Sequence, residues 1–365
     1  ATESSLDKIL FVSSFHPDGE GNVGAGEAIS GDSVRRLLAR GAEVHVLCVV
    51  PAYQRANEAL VRQCTSYTVV QHSSFHSLMA MLRNMRLGAI CTPWLFTRVS
   101  PHAVAILKET IARIQPEEVW FDFPSSLGFV VHVDASRKSY FVHDIVSQKI
   151  RRSLFKRMLA PLVHRVESRL FSRLSRLIVL SDKDRQLAIS MKFSGEIEVW
   201  PPSQPRVGVV DDSAPIETVV SRFNRRDMVF FGHMGRAENH WSVVLFILNC
   251  FPEIRRACPG TKLWVLGIQP RPLLKLLGKL VKGVEVVGAV DNPTKAFARS
   301  AICIAPILFG AGVKIKVLQM LEAGASVIAT PIGAEGIDAN ERLEVVKWSE
   351  LSTRVVHMLT NRVSS

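Results

Sequence analysis

The sequence predicts a two-domain α/β protein built on parallel sheets. Three observations carry this. Both halves contain apolar runs that end in glycine-rich turns and then open helices. The chain, at 365 residues, is too long for one ordinary core and fits two domains of about 150–200 residues each. A stretch rich in Pro, Ser and Asp, Trp200 to Ser221, separates the halves and reads as a linker. The expected divisions are residues 1–205, residues 206–348, and a terminal helical segment at 349–365.

In the first half, Lys8 to Ser14 is an apolar strand. A glycine-rich loop from Pro17 to Gly26 follows, then a helix from Glu27 to Ala39 that Gly41 ends, and a second strand from Glu43 to Val50. Phe75, Leu78, Met79, Leu82 and Met85 recur at helical spacing; their default place is the core, as is that of Trp94, Leu95 and Phe96, with contact to an acceptor or a membrane as the alternative. Pro101 to Ile114 is a further helix, and Glu118–Phe123, Ser139–Val142 and Leu177–Leu180 are strands. The stripe Ile150, Leu154, Met158, Leu162, Val166, Leu170, Leu174 predicts a largely helical segment, and Ser181-Asp182-Lys183-Asp184 a helix cap.

The second half is the more telling. Ala301 to Pro306 is a short apolar strand. Gly310 and Gly312 open the backbone after it, a helix runs from Val313 to Ala323, Gly324 caps it, and Ser326 to Thr330 is the next strand. A glycine-rich turn feeding a helix start presents unpaired backbone N–H groups and the positive end of the helix dipole, which suits a phosphate. Lys314 and Lys316 add cations where they oppose that dipole, so an anionic ligand is expected.

Bulk properties narrow the function. No apolar run reaches the ~18 residues of a membrane span. The N-terminal ATESSLDK shows no signal-peptide pattern, and the six cysteines form no C-x-x-C pair. A cytoplasmic location is expected, with no disulfide scaffold and no zinc site. The net charge is +12. Its local concentration is Lys149 to Arg176, with nine Lys and Arg against one acid, Glu167. Such a surface favours anionic partners, whether lipid headgroups, pyrophosphate-linked acceptors or nucleic acid. Aromatic residues for stacking bases are sparse there, so nucleic acid ranks low. Gly19 to Gly24 satisfies G-x-G-x-x-G, but Phe15 to Asp18 separate it from the strand and Cys48-Val49-Val50 supplies no ribose-binding acid, which disfavours a nicotinamide site.

The stretch from Ala305 to Ile337 resembles the donor site of glycosyltransferase family 4. The approach to it is similar too: Phe230 to Gly235 with Asn239, then Phe251 to Gly267, then Gly283 to Asp291. The resemblance implies the GT-B fold, two Rossmann-like domains facing a cleft, and a retaining transfer of sugar from a nucleotide-sugar, UDP- or GDP-type, to a glycan or lipid-linked acceptor. It implies neither cofactor nor metal. On the donor side it points to Gly235, Arg236, Val290, Gly310, Gly312, Lys314, Lys316 and Gln319, with Gly24 and Gly26 lining the sugar and phosphates from the first domain. His143 is implied near the donor sugar and Asp144 as its orienting partner or an acceptor contact. Arg151, Arg152 and Lys156 are expected to face the acceptor or an anionic membrane. The terminal helix is implied to cross back toward the first domain.

One departure stands out. The family's Glu-x7-Glu pair falls on Ala311 and Gln319. A neutral amide is a weaker acceptor for ribose hydroxyls than a carboxylate. Glu322, on nearly the same helical face, could partly compensate. This departure motivates the alternative of a non-catalytic GT-B protein that binds glycan or scaffolds a complex.

Overall fold

Strands buried on both faces organise each half of the chain. The computed structural model describes residues 7–18, 25–152, 156–202, 222–290 and 293–363. It divides into two units, Ala1–Ser203 and Gln204–Ser365. The Gly19–Gly24 motif, Gly24 included, and most of the expected linker lie outside the described residues.

The N-terminal unit runs β1 (Lys8–Ser13), α1 (Ala25–Ala39), β2 (Glu43–Val50), α2 (Glu58–Gln63), β3 (Ser66–Gln71), α3 (Ser74–Arg83), α4 (Pro101–Ile114), β4 (Glu118–Asp122), α5 (Pro124–Leu127), β5 (Arg137–Val142), α6 (Val146–Arg151), α7 (Ala160–Phe171), β6 (Arg176–Val179), α8 (Asp182–Ser190) and β7 (Glu196–Val199). Its seven strands are ordered β3-β2-β1-β4-β5-β6-β7, all parallel. Leu10, Val12, Phe121 and Val142 face one core, against Phe96, Leu107, Phe129 and Val163. Ser181 caps α8 as expected, its hydroxyl accepting from the Asp184 N–H.

The C-terminal unit runs β8 (Met228–Phe231), α9 (Ala237–Asn249), α10 (Phe251–Ala257), β9 (Leu263–Leu266), α11 (Pro272–Leu280), β10 (Val284–Gly288), α12 (Pro293–Arg299), β11 (Ile302–Ala305), α13 (Ile315–Glu322), β12 (Val327–Ala329), β13 (Leu343–Val345) and α14 (Leu351–Val363). Its six parallel strands are ordered β10-β9-β8-β11-β12-β13. Alternate residues serve opposite cores: Met228, Phe230 and Ile304 on one face, Val229, Trp264 and Cys303 on the other. The apolar side of α14, Leu351, Val355 and Leu359, belongs to the first of these. Among the described residues no helix is long and apolar enough to cross a membrane.

The 150–174 stripe is largely helical as expected, but in pieces: α6 ends at Arg151, a short 3-10 turn covers Arg157–Leu159, and α7 starts afresh with Pro161 in its first turn, where the missing N–H costs nothing. Two expectations change. Lys314 precedes α13 as its N-cap residue rather than lying in its first turn. The α3 row is not core. Phe75, Leu78, Leu82 and Met85 are exposed, and Ala80 is the buried position of the helix. Leu95 and Phe96 are buried as expected.

In both sheets the chain first builds outward from one central strand, then returns to that strand's other side. The reversals fall between β1 and β4 and between β8 and β11. At such a point the crossovers leave on opposite faces, so a crevice opens at the carboxyl ends of the two strands. In the C-terminal unit the crevice depends on two glycines. Gly267, just past β9, has φ +133°, and a Cβ there would lie 1.8 Å from the Gly232 carbonyl oxygen just past β8. Gly267→Ala should therefore cost about 2–4 kcal/mol through strained backbone and overpacking. Urea unfolding of the variant checks this, and an unchanged midpoint would be contrary to it.

Candidate active site

Gly310, Gly312, Lys314 and Lys316, all expected on the donor side, lie at the β8/β11 reversal. Beyond β11 the backbone turns through Gly310 (φ +114°) and Gly312 (φ +78°) before α13 begins. A Cβ at Gly310 would meet nothing closer than 3.8 Å, so its glycine is required by conformation rather than by space. Lys314 Nζ donates to the loop's own carbonyls, Ala311 O at 3.0 Å and Gly312 O at 2.6 Å. Lys316 reaches back across the reversal. Its Nζ donates to Asn239 Oδ1 at 2.6 Å and lies 4.8 Å from the Phe230 ring centroid. Asn239 Nδ2 in turn donates to the His233 carbonyl at 3.0 Å, which fixes the amide with its oxygen toward Lys316. Gly232 leaves room for this contact: a Cβ there would stand 3.0 Å from Asn239 Nδ2 and 3.3 Å from Lys316 Nζ.

Burial first, then the neighbouring Lys314 and Arg236 charges, lower the Lys316 ammonium to about 7, against a partial offset from Glu238. Cations held together around one amine favour an anion between them. Arg236 is the exposed N-cap residue of α9, and the carbonyl of Gly235 before it accepts from Arg271 at 2.5 Å. Val290 lies beyond β10, partly buried against the core. Gln319 lies in α13 one turn after Lys316, half-buried, whereas Glu322 is exposed to solvent.

At the other reversal, between β1 and β4, a polar cluster closes the sheet's carboxyl edge. Asp122, the last residue of β4, is fully buried. Its Oδ2 accepts from Ser13 Oγ at 2.7 Å and from Ser30 Oγ of α1, and its Oδ1 lies 2.7 Å from His143 Nε2 just past β5. The His143 ring stacks on Phe123, centroids 4.1 Å apart and planes 8° apart, and Phe141 meets it edge-on. Phe123 takes φ +68° to do so. Gly26, in the first turn of α1, backs onto this pair. A Cβ there would strike Phe123 Cε1 at 2.8 Å and stand 3.6 Å from His143 Nδ1. An Nε2–H donated to Asp122 makes Nδ1 the ring nitrogen left to meet a ligand.

The orienting carboxylate is thus Asp122, which the sequence reading did not single out, and not Asp144. Asp144 turns to Lys149 Nζ at 3.2 Å. Glu167, the lone acid of the basic segment, is buried in α7 and accepts from the Val146 and Ser147 N–H groups at 2.7 and 3.0 Å. It therefore caps α6 from outside and pins the loop that carries His143. Arg151 and Lys156 are exposed, and Lys156 Nζ lies 5.1 Å from the Trp94 ring centroid; Arg152 is partly buried. Among the described residues no group of His, Cys, Asp and Glu side chains is placed to hold a metal ion.

Residues 225–361 match the family described as Glycosyl transferases group 1. The match spans most of the C-terminal unit, from just before β8 into α14. Three solved structures show that the whole chain has the GT-B fold. Sucrose-phosphate synthase from Thermosynechococcus elongatus is 14% identical, with 98% of this chain and 90% of that one covered and a TM-score of 0.66. Anabaena HepE, solved with UDP and glucose, gives the same identity, coverage and TM-score. A Listeria monocytogenes protein described as a putative UDP-N-acetylglucosamine 2-epimerase is 12% identical over 99% and 89%, with a TM-score of 0.61. No curated protein sequence matches the chain.

The Lys316 amine sets a pH signature. A diphosphate beside it raises its pKa, so binding takes up a proton where the free amine is neutral, above about pH 7. Affinity for a nucleoside diphosphate seated there should be highest below that pH and fall by up to about tenfold per unit above it. Calorimetry in buffers of different ionisation heat checks the uptake, and Lys316→Met should abolish both uptake and pH dependence. Affinity that stays level across this range would remove Lys316 from the diphosphate.

Proposed function

We propose that the protein is a retaining glycosyltransferase. It moves a sugar from a nucleoside diphosphate donor of the UDP or GDP type to a glycan or lipid-linked acceptor. The observation that carries this reading is the glycine-rich turn at the β8/β11 reversal, with Lys316 held under it, inside the segment that matches the glycosyl transferases group 1 family. The fold alone does not decide the chemistry, because one fold hosts many unrelated activities. The HepE structures with UDP and with UDP-glucose support a uridine donor.

In this reading the loop amides at Gly310–Gly312, with Lys314, Lys316 and Arg236, offset the charge that grows on the diphosphate as the glycosidic bond breaks. Fixed donors aimed at developing charge stabilise the transition state without a reorganisation cost. Lys316 would exchange Asn239 for a phosphate oxygen, and Gln319 would meet the ribose in place of a carboxylate. His143, held by Asp122, would offer Nδ1 to a sugar hydroxyl, while Arg151, Arg152 and Lys156 would face an anionic acceptor. No protein nucleophile is invoked, and positioning carries the remainder. The charge of the leaving group is met by side chains and backbone amides rather than by a metal.

Gln319 and the exposed Glu322 favour a second reading, a GT-B protein that binds sugars without turnover. A thermal-shift panel of UDP-, GDP-, ADP- and dTDP-sugars, followed by turnover of the one that binds, separates them. A ligand at about 100 times its Kd should stabilise the fold by ~2.7 kcal/mol. Stabilisation with turnover establishes the transferase, stabilisation without turnover on any acceptor establishes the binder, and no stabilisation by any nucleotide-sugar contradicts both. Asp122→Asn should lower kcat about 10²–10⁴-fold with little change in donor KM, since it disturbs His143 and not the diphosphate site. A change confined to KM would contradict that assignment.

A further inference from the structure

α3 turns a row of large apolar side chains outward. Phe75 is 66% exposed, Leu78 56%, Leu82 53% and Met85 53%. Water does not favour such a row, and contiguous apolar patches on a surface mark interaction sites. The row does not stop at the end of the helix. The turns after it pack against α7, where a Cβ at Gly88 would lie 3.1 Å from Val166 Cγ2, and Trp94 holds the Lys156 ammonium over its ring. Met158, 87% exposed, and Leu162 at the start of α7 therefore adjoin the same face.

The charge on the segments that make this face has one sign. Between Glu58 and Glu109 the sequence contains no acidic residue, and between Asp144 and Glu167 there is none either. Glu167 itself is buried beneath α6. Arg83 and Arg86 border the α3 side, and Lys156, Arg157 and Arg165 border the α7 side, all exposed. An apolar face whose own segments carry exposed cations and no exposed carboxylate matches an anionic bilayer, in which acyl chains take the apolar side chains while Arg and Lys reach up to phosphate. A nucleic acid would use the cations but leave the aliphatic row in water.

We propose that the face made by α3, the turns at 85–94 and the start of α7 docks the N-terminal unit on an anionic lipid surface. The proposal goes beyond sugar transfer and stands without it, because docking requires no donor.

The test is co-sedimentation of the full chain with phosphatidylcholine vesicles, with and without phosphatidylglycerol. Binding is expected only to the anionic vesicles and is weakened by salt. Leu78→Ser with Leu82→Ser should weaken it roughly tenfold or more, because both side chains would leave the acyl region. The two positions are exposed, so the thermal midpoint and donor turnover should stay as in the parent chain, which separates failure here from failure of the transfer reading. Absence of binding, equal binding to neutral vesicles, or binding indifferent to the two serines would each overturn the proposal. Concentration-dependent self-association by light scattering, lost in the double variant, with no vesicle binding, would assign the face to a second copy of the chain.

Discussion

The parallel sheet is the constraint on which everything else depends. Parallel strands need crossovers, crossovers cover both faces, and covered faces demand apolar strands. Polar chemistry is then confined to the strand ends. In each unit it collects where the winding reverses. Ser13, Asp122 and His143 meet at one reversal, although they are far apart in the chain. Gly232, Asn239, Gly310 and Lys316 meet at the other. The glycines exist because the strand ends there approach too closely for side chains, which in turn leaves backbone groups near any ligand.

The treatment of charge separates scaffold from site. At the amino edge of the N-terminal sheet, Arg176 bonds Glu118 at 2.9 and 3.1 Å and Glu198 at 3.3 Å, and it lies over Trp120. That cation is neutralised within the fold. Lys316 is held instead by a neutral amide and an aromatic face, and its ammonium drops to about 7. An amine kept in so poor a site for a cation is stabilised once a diphosphate arrives. Asp122 shows the complementary arrangement, a buried carboxylate whose oxygens are occupied by two hydroxyls and one imidazole. It is spent on orientation, so the reactive surface passes to His143 Nδ1.

Features written locally were legible in the sequence. The Gly310–Gly312 turn, Lys316, the helix after it and the position of His143 at a strand end all follow from residues within one short window. Features written across the sheet were not. His143 takes its carboxylate from the end of the neighbouring strand, 21 residues away, and the adjacent Asp144 offered a false partner. Asn239 lies 77 residues from Lys316. The strands β3 and β7 escaped notice because they are the edges of their sheet, largely part-exposed and without the continuous apolar run that marks β1 or β4. The periodicity of α3 gave its apolar face correctly but not what that face meets. Spacing defines a stripe, and only the tertiary arrangement decides whether the stripe looks inward.

The most direct measurement is a crystal structure of the chain with a nucleoside diphosphate bound. The account predicts a diphosphate against the Gly310–Gly312 backbone, with Lys316 Nζ on a phosphate oxygen and its bond to Asn239 released. A nucleotide seated instead along the Gly19–Gly24 loop, with the Lys316–Asn239 contact intact, would contradict it.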